Sequence, residues 1–271
     1  MARDPARAKE LERDGAEVVR ADVLEPGGLP EALEGAAVAY YLVHSMGRGS
    51  GSDDFAERDK VAARNFGEAA RSAGVELIIY LGGLSEGGSK HLASRHETAL
   101  ILGESEVPVT YVRAAAVIGA GSESFRTVFY LVKRLPAMVT PRWVSTKTQP
   151  IAIADVVRYL ADIPGIPEVR GRELEIGGPD VTTYGGMMDA AARAMDTWRR
   201  PRVSVPLLSP RLSSLWLGLV TPVDPGVAKP LVEGMAVETI VRDRSGMALF
   251  DFDPMGIDAA MREALEEHEA G

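Results

Sequence analysis

The sequence predicts an α/β protein with a doubly wound parallel sheet, and two observations lead to this prediction. Short apolar stretches of strand length alternate with longer segments whose apolar residues recur at helical spacing. The stretches 36–43 and 76–81 show no polar alternation, which is typical of parallel strands covered by helices on both faces. A chain of 271 residues is long enough to bury one large core of this kind together with a smaller lobe.

The first half of the chain follows this alternation closely. In order, the predicted elements are a helix over residues 6–14, a strand over 18–23, a strand over 36–43, a helix over 54–72, a strand over 76–81, a helix over 90–103 and a strand over 109–118. A loop is predicted at 46–52. Asp54 and Glu57 have the spacing of a capping box at the start of helix 54–72, and Gly74 follows the helix as its expected C-terminal glycine.

The second half is less regular. It predicts helices over residues 124–135, 155–160, 183–195 and 258–268, short extended pieces within 144–153 and a strand over 173–176. Asp155 is the expected N-cap of its helix. The proline-rich stretch 201–230 and the last helix are expected to form a smaller lobe over the carboxyl ends of the strands.

The order of these elements begins in the middle of a βαβ series. In a Rossmann-like dinucleotide-binding fold the first strand lies at the sheet centre, and the turn after it carries G-x-G-x-x-G, which holds the pyrophosphate. Neither is visible before Arg3, so we expect a Rossmann-like, doubly wound sheet lacking its first strand and Gly-rich loop, with a small C-terminal lobe. The expected division is an incomplete NAD(P)-binding domain over residues 1–160 and a substrate or lid lobe over 161–271, interleaved with the sheet edge.

One glycine cluster imitates the missing loop. Gly119, Gly121 and Ser124 have the spacing of the dinucleotide fingerprint after a predicted strand. The third position is serine, and no acidic residue ends a following strand about 20 residues on, as the fingerprint requires. We therefore interpret the cluster as a late turn that lines the nicotinamide or substrate side.

Composition excludes several other classes of function. A net charge of −9 argues against nucleic acid as the main partner, because such binding requires a concentrated basic face. The absence of cysteine excludes disulfides, thiolate metal sites and a cysteine nucleophile, and no metal site is predicted. The apolar stretch 212–220 is too short for a membrane span, which needs about 20 residues. A cytoplasmic location is expected, and the sequence leaves the oligomeric state open.

A series of short motifs resembles the atypical short-chain dehydrogenase/reductase superfamily, in particular its NmrA-like and epimerase/dehydratase-like, NAD(P)H-binding members. The motifs are R-D-P at 3–5, A-D-V at 21–23, Y-L-V-H-S-M at 41–46, L-G-G-L at 81–84, V-T-Y-V-R at 109–113 and Q-P-I at 149–151. Their order carries the resemblance, which extends over nearly the whole chain. It implies an N-terminally truncated, NAD(P)-dependent oxidoreductase.

The resemblance also implies how a cofactor would be held. Asp22 and Val23 would contact the adenine, and Arg3 would lie near the 2′ position of the adenosine ribose. A guanidinium there matches a 2′-phosphate, whereas NAD-preferring sites usually place a carboxylate on the 2′-hydroxyl. NADP is therefore the expected cofactor, with NAD as the alternative. Arg3 as a solvated residue near a chain terminus is the competing interpretation.

The expected catalytic pair differs from that of typical superfamily members. Those members use a tyrosine and a lysine four residues later on one helix face, and the ammonium lowers the pKa of the phenol. The corresponding helix here carries His91 in place of the tyrosine and Arg95 in place of the lysine. Histidine can act as acid or base near neutrality, and arginine can anchor a ribose. The alternative is a charged helix that is simply exposed.

Further candidates lie where strands end. His44 and Ser45 follow one buried strand, while Gly82 and Gly83 end the next, and open α/β sheets bind ligands at carboxyl ends of strands. His44 is therefore a second candidate acid, and all of these residues are candidate cofactor contacts. Tyr80 is expected to face the core and is a weaker candidate for a base.

The expected substrate is a small apolar carbonyl or quinone-like compound. Met138, Trp143, Leu215 and Trp216 could close an apolar pocket, although such residues more often form the core of a lobe. Loss of the tyrosine and lysine pair leaves a second hypothesis open, in which the protein is a non-catalytic NAD(P)-binding sensor or assembly subunit. A third is an inactive, shortened gene product.

Overall fold

The structure is a computed structural model that describes residues 1–43, 54–85, 90–204, 221 and 225–271. Its strands are β1 (Val38–Tyr41), β2 (Leu77–Gly83), β3 (Val109–Ala114), β4 (Val117–Ile118), β5 (Met138–Thr140), β6 (Lys147–Thr148), β7 (Ile151–Ala152), β8 (Glu173–Ile176), β9 (Thr182–Thr183) and β10 (Arg202–Ser204). Its α-helices are α1 (Lys9–Arg13), α2 (Leu29–Ala32), α3 (Asp54–Ser72), α4 (Lys90–Gly103), α5 (Glu123–Arg134), α6 (Ile153–Asp162), α7 (Tyr184–Ala194), α8 (Pro225–Met235) and α9 (Ile257–Ala270).

The central sheet is parallel, with strand order β1-β2-β3-β8. The expected α/β fold class with a Rossmann-like parallel sheet is confirmed. Strand β8 comes from the C-terminal part of the chain, so residues beyond 160 help to build this sheet.

Helices cover the sheet on both faces, as the continuous apolar runs predict. In β2, Ile78 and Tyr80 pack with Phe66 of α3, whereas Leu77 and Ile79 pack on the other face in the cluster that contains α6. All four β2 residues are at most 1% exposed. A strand in this position loses nearly all of its side-chain surface to the core, which is why it carries no charged residue.

A third core lies beside the sheet and joins α5, α7 and α9. Phe125, Met187 and Met261 are buried at its centre. Met138 and Trp143, which the sequence offered as pocket residues, are buried in this same core. Leu215 and Trp216 lie outside the described residues.

Most predicted elements are confirmed, and helices 54–72 and 90–103 and strand 173–176 coincide with α3, α4 and β8. The predicted strand 18–23 is wrong. That segment forms only an isolated parallel bridge between Ala2 and Arg20, because a ladder needs several paired residues on each strand. The predicted strand 109–118 is divided, since β3 ends at Ala114 and β4 pairs with β7 away from the central sheet.

The predicted cap at Asp155 is also wrong. Helix α6 begins two residues earlier with Ala152 as its N-cap, so Asp155 lies in the first turn. Its carboxylate instead accepts a hydrogen bond of 2.7 Å from the backbone of Met255 and fastens the segment before α9. The expected loop 46–52 lies outside the described residues. Among the described helices, none combines the length and apolar composition that crossing a membrane requires.

A buried amide clamps the carboxyl end of β8. Gln149 is fully buried, donates 2.7 Å from Nε2 to the carbonyl of Gly178, and accepts 3.1 Å at Oε1 from the backbone of Val241. The backbone N–H of Gly178 donates to the carbonyl of Pro150. Gly178 is therefore held from two sides, and a Cβ added there would collide with the Pro150 oxygen.

Gly178→Ala is expected to lower the free energy of unfolding by about 1–3 kcal/mol, because the backbone must move to relieve the overlap. Gly121→Ala is the matched control, since nothing lies within 4 Å of its added Cβ, and its effect should stay within about 0.5 kcal/mol. Urea denaturation of the two variants measures both values. Equal free energies of unfolding for the two variants would show that the backbone around Gly178 can move without a cost in stability.

Candidate functional site

The candidate site lies at the carboxyl edge of the central sheet. Because β1, β2, β3 and β8 are parallel, their C-terminal ends meet at one edge, where α/β sheets bind their ligands. Gly82 and Gly83 end β2 there. Helix α4 follows β2 and begins at the same edge with Lys90.

Backbone pairing brings the segments that carry Arg3 and Asp22 together. The N–H of Ala2 donates 2.9 Å to the carbonyl of Val19, and the N–H of Ala21 donates 3.2 Å to the carbonyl of Ala2. Arg3 and Asp22 are the residues that directly follow this paired position. The side chain of Arg3 is exposed. Within the part of the chain that the structure describes, it has no ion pair.

The turn that carries Asp22 and Val23 is fastened to α3. Asp22 Oδ1 accepts a hydrogen bond of 3.0 Å from the N–H of Leu24, which fixes the turn. Asn65 of α3 donates 2.9 Å from its side-chain amide to the carbonyl of Val23. Val23 itself is buried in the core with α3. The turn is therefore held rigidly, and one oxygen of Asp22 accepts no bond from a described residue.

Gly82 and Gly83 are explained by close packing beneath the edge. A Cβ at Gly82 would lie 2.5 Å from a ring carbon of Tyr111, and a Cβ at Gly83 would lie 2.7 Å from Leu92 of α4. Larger residues would displace that ring or that helix. Glycine at these two positions therefore lets β3 and α4 pack closely against the end of β2.

Arg95 lies between α4 and β2. Its guanidinium donates to the carbonyl of Leu81 and lies over the ring of Tyr80, 5.5 Å from the ring centroid. The hydroxyl of Tyr80 in turn donates 3.1 Å to the carbonyl of Arg95. Arg95 and Tyr80 therefore lock the second turn of α4 onto the end of β2.

Three tyrosines occupy paired positions on neighbouring strands. Tyr41 pairs in register with Tyr80, and Tyr80 pairs with Tyr111. Burial raises the pKa of each phenol above its ordinary value, chiefly through loss of hydration. These hydroxyls stay protonated at neutral pH, so none resembles the activated tyrosine of typical superfamily members. The prediction that Tyr80 faces the core is confirmed.

Sequence reasoning missed a buried carboxylate beside this row. Asp59 of α3 is 7% exposed and accepts 3.4 Å from the hydroxyl of Ser94 on α4. Its charge contributes to the raised pKa of Tyr41. Asp59 looks like one more polar residue of a charged helix in the sequence, and only its spacing with Ala62 and Phe66 on the apolar face could have indicated burial.

Three of the predicted residues are described incompletely or not at all. His44 and Ser45 lie outside the described residues. The backbone of His91 belongs to the first turn of α4, three residues before Ser94 and four before Arg95, and its side chain lies outside the described part. The roles assigned to these residues stay predictions.

The glycine cluster that imitates a phosphate loop lies away from the central sheet. Gly119 and Gly121 connect β4, which pairs with β7, to α5. Ser122 caps that helix by accepting 3.1 Å from the N–H of Phe125. The interpretation as a turn agrees with this position.

The polar groups of Arg3 and Asp22 suit the adenosine half of a dinucleotide. Arg3 is exposed and follows Ala2, whose backbone bonds to Val19 and Ala21, while Asp22 lies in the turn that Asn65 of α3 holds in place. A guanidinium suits a ribose phosphate, and a carboxylate oxygen with spare acceptor capacity suits an amino group. Among the described residues, no group of three metal-ligating side chains is assembled.

Comparison with known proteins agrees with this geometry. Residues 1–128 match the family model described as NAD(P)H-binding. The match includes the Arg3 and Asp22 end, β1, β2, α4 and β3, and therefore most of the candidate site. No curated protein matches the chain significantly.

Solved structures with the same fold are numerous. A nucleoside-diphosphate-sugar epimerase from Staphylococcus aureus is 15% identical, with a TM-score of 0.75 over 97% of this chain and 89% of that one. An NADPH-dependent quinone oxidoreductase from Escherichia coli, complexed with NADPH, is 20% identical, with a TM-score of 0.74 over 96% and 87%. A triphenylmethane reductase from Citrobacter sp., complexed with NADP(H), is 16% identical, with a TM-score of 0.73 over 96% and 88%. This shared fold and the NAD(P)H-binding match over residues 1–128 agree with the predicted resemblance.

Asn65→Ala is expected to loosen the turn that carries Asp22. Loss of one hydrogen bond of about 1 kcal/mol should speed amide exchange at Leu24 and Glu25 about fivefold. Glu68→Ala, an exposed change on the same helix, is the control and should leave these amides unaffected. Hydrogen exchange read by mass spectrometry or NMR makes the comparison, and equal protection in both variants would contradict the anchoring role of Asn65.

Proposed function

We propose that the protein is an NADP-linked, atypical short-chain dehydrogenase/reductase that reduces a small apolar carbonyl or quinone-like compound. The observation that carries the proposal is the NAD(P)H-binding family match over residues 1–128, because these residues build the carboxyl edge where the sheet would hold a dinucleotide. The location that we propose is the cytoplasm, and the absence of cysteine suits a reducing compartment.

Arg3, Asp22 and Val23 are proposed to hold the adenosine half of the cofactor. Arg3 would pair with the 2′-phosphate through two parallel N–H donors, which favours NADP over NAD. Asp22 would accept from the adenine amino group with the oxygen that is free of the turn. Gly82 and Gly83 would present backbone to the nicotinamide side, together with His44 and Ser45.

Reduction of a carbonyl consumes one hydride and one proton. NADPH, when bound, supplies the hydride. The proton must come from the chain or from water, and the buried tyrosines are poor candidates because their pKa values are raised. His91 is the proposed donor, since it lies in the first turn of α4 at the cofactor edge. His44 is the competing candidate.

Arg95 is the proposed anchor for the nicotinamide ribose. An arginine cannot release its proton, so it would position a ligand and would not act as an acid. The bond to the Leu81 carbonyl uses one N–H of a group that has five. The remaining N–H groups can donate to a ribose oxygen while the first fixes the guanidinium.

The proposed substrate class rests on the apolar surroundings of the edge and on the solved structures. Leu84, Ala115 and Val241 form a small apolar cluster directly beyond the ends of β2 and β3. Two of the structures with this fold are named as a quinone oxidoreductase and a triphenylmethane reductase. An apolar acceptor of similar size is therefore proposed here.

A non-catalytic, NAD(P)-binding sensor or assembly protein is the second candidate. The observation in its favour is that α4 carries histidine and arginine where superfamily enzymes use tyrosine and lysine. Assay of NADPH oxidation with a panel of quinones, enones and aldehydes separates the two. Cofactor binding without turnover on any acceptor would favour the sensor.

Arg3→Glu is expected to weaken NADPH binding by about tenfold or more, because a repulsive charge replaces the partner of the 2′-phosphate, while NADH binding changes by about twofold at most. Arg13→Glu adds the same charge change on α1 and should alter neither affinity. Titration calorimetry with both cofactors gives the values. An equal loss of affinity for NADPH and NADH would show that Arg3 does not contact the 2′-phosphate.

His91→Ala is expected to lower kcat by about 100-fold and to leave the affinity for NADPH nearly unchanged, as for loss of a positioned general acid. Arg95→Ala should instead weaken NADPH binding. His44→Ala is the competing variant. Full turnover in His91→Ala combined with loss in His44→Ala would assign the proton donor to His44.

A further inference from the structure

A two-stranded parallel sheet beside the central sheet presents apolar side chains to solvent. It consists of β5 and β10, and Val139 pairs in register with Val203. Val139 is 54% exposed and Val203 is 65% exposed, whereas Met138 and Thr140 on either side of Val139 are buried. Because side chains alternate along a strand, the two valines lie side by side on the outer face of this sheet.

A tryptophan extends this apolar area. Trp198 is 58% exposed, and the guanidinium of Arg200 lies 5.1 Å from the centroid of its ring. Arg200 Nε donates 3.0 Å to the carbonyl of Val132 in α5, and the N–H of Met138 donates 2.9 Å to the carbonyl of Pro201. These contacts hold the tryptophan next to the end of α5 and the start of β5. The tryptophan and the two valines together are called the β5–β10 surface.

Basic side chains flank the β5–β10 surface. Helix α5 ends with Lys133 and Arg134 in its last turn, and both are exposed. Arg142 lies two residues beyond β5 and is exposed, and the side chain of Arg199 is 73% exposed. The whole chain has a net charge of −9, so this concentration of cations is a local feature that the overall charge does not explain.

The carboxylate of Asp189 lies among these cations and is already paired. Asp189 of α7 accepts two hydrogen bonds of 2.7 and 2.9 Å from Arg202, and it forms an ion pair of 2.9 Å with Arg199. Burial would raise the pKa of Asp189, but hydrogen bonds and charge from the two arginines outweigh it and hold the pKa below its usual value. Asp189 therefore stays ionised and fixes both arginines at the surface.

Exposed carboxylates mark the limits of the surface. Asp196 is exposed and precedes Trp198 by two residues. The acidic C-terminal end of α9 meets α5 where His268 packs against Phe129, with ring centroids 4.8 Å apart, one turn before Lys133. These carboxylates repel an anionic partner, which restricts it to the area of the valines, the tryptophan and the cations.

The chemistry of this area suits a lipid bilayer. Tryptophan is enriched at the level of lipid headgroups, where its ring is apolar and its N–H can reach water. Exposed valines can enter the boundary between headgroups and acyl chains, and lysine and arginine are attracted to anionic lipids. A single-stranded nucleic acid would need aromatic platforms on which successive bases stack, and two paired valines do not provide them.

We propose that the β5–β10 surface docks the protein onto an anionic lipid bilayer, with Trp198, Val139 and Val203 at the interface and the surrounding cations on the headgroups. The attachment is peripheral, since none of the described helices could cross a membrane. The surface is built from α5, β5 and β10, outside the central sheet, and the proposal does not depend on the reductase function.

Co-sedimentation of the full chain with lipid vesicles tests this proposal. Vesicles of phosphatidylcholine that contain about 30% phosphatidylglycerol should bind about tenfold more tightly than vesicles of phosphatidylcholine alone, because only the former are anionic. Raising the salt concentration from about 0.1 M to about 0.5 M should weaken this binding by about tenfold, because exposed charges are then screened.

Variants locate the surface. The double variant Lys133→Gln, Arg134→Gln should lower the affinity for anionic vesicles by about tenfold or more. The control is Arg170→Gln, Arg172→Gln, which removes the same charge from exposed arginines before β8 and should change the affinity by about twofold at most. Trp198→Ala, also an exposed change, should lower the affinity by about tenfold through loss of the apolar anchor.

Asp196→Asn gives a change in the opposite direction. It removes an exposed negative charge beside Trp198 and should raise the affinity for anionic vesicles by about twofold or more. Asparagine is the suitable replacement because residue 196 adopts a φ of 48°, a left-handed conformation that asparagine tolerates. Thermal melting of each variant verifies that the fold is retained.

Three results would overturn the proposal. The first is the absence of measurable binding of the wild-type chain to anionic vesicles at low salt. The second is an equal loss in the two double variants, which would show that only net charge matters. The third is unchanged binding by Trp198→Ala, which would show that the apolar surface does not enter the interface. A failure of the reductase assay affects none of these results.

Discussion

The candidate site depends on the parallel pairing of β2 with β1 and β3. In a parallel register all strands end at one edge, so residues that are far apart in the sequence lie close together at that edge. Strand β2 is also the strand whose two faces carry the two cores that enclose the sheet. Loss of its register would separate Gly82 from Tyr111 and would detach the start of α4 from the edge.

Much of the fold could be predicted from the sequence because the relevant signals are local. The helix over residues 54–72 and the helix over 90–103 follow from apolar spacing and terminal glycines, and both coincide with the structure. The prediction of a strand over 18–23 was wrong because strand formation also depends on residues that are distant in the sequence. Its apolar residues satisfy the pattern of a strand, but pairing depends on a neighbour, and there the chain makes a single bridge. The misplaced cap at Asp155 has a similar cause, since its carboxylate bonds to a residue 100 positions later.

The candidate site was less predictable than the fold. The position of Gly82 and Gly83 at the edge follows from strand order, whereas the pairing of Arg3 with Asp22 was expected only from the resemblance. The contacts beneath the edge do not, because they depend on how side chains pack between elements. Tyr111 against Gly82, Arg95 on the Leu81 carbonyl and Asp59 beside Ser94 are contacts of this kind. No periodicity in the sequence reports them.

The clamp at Gln149 has an evolutionary consequence. Its side chain donates to one backbone group and accepts from another, while no part of it reaches solvent. A glutamate of the same length would turn an acceptor towards the carbonyl that now receives a hydrogen bond, and a methionine would satisfy neither group. Few single-nucleotide changes of this codon can therefore be tolerated. Among descendants of this gene that keep the fold, position 149 should stay an amide or change only together with the segments that it joins.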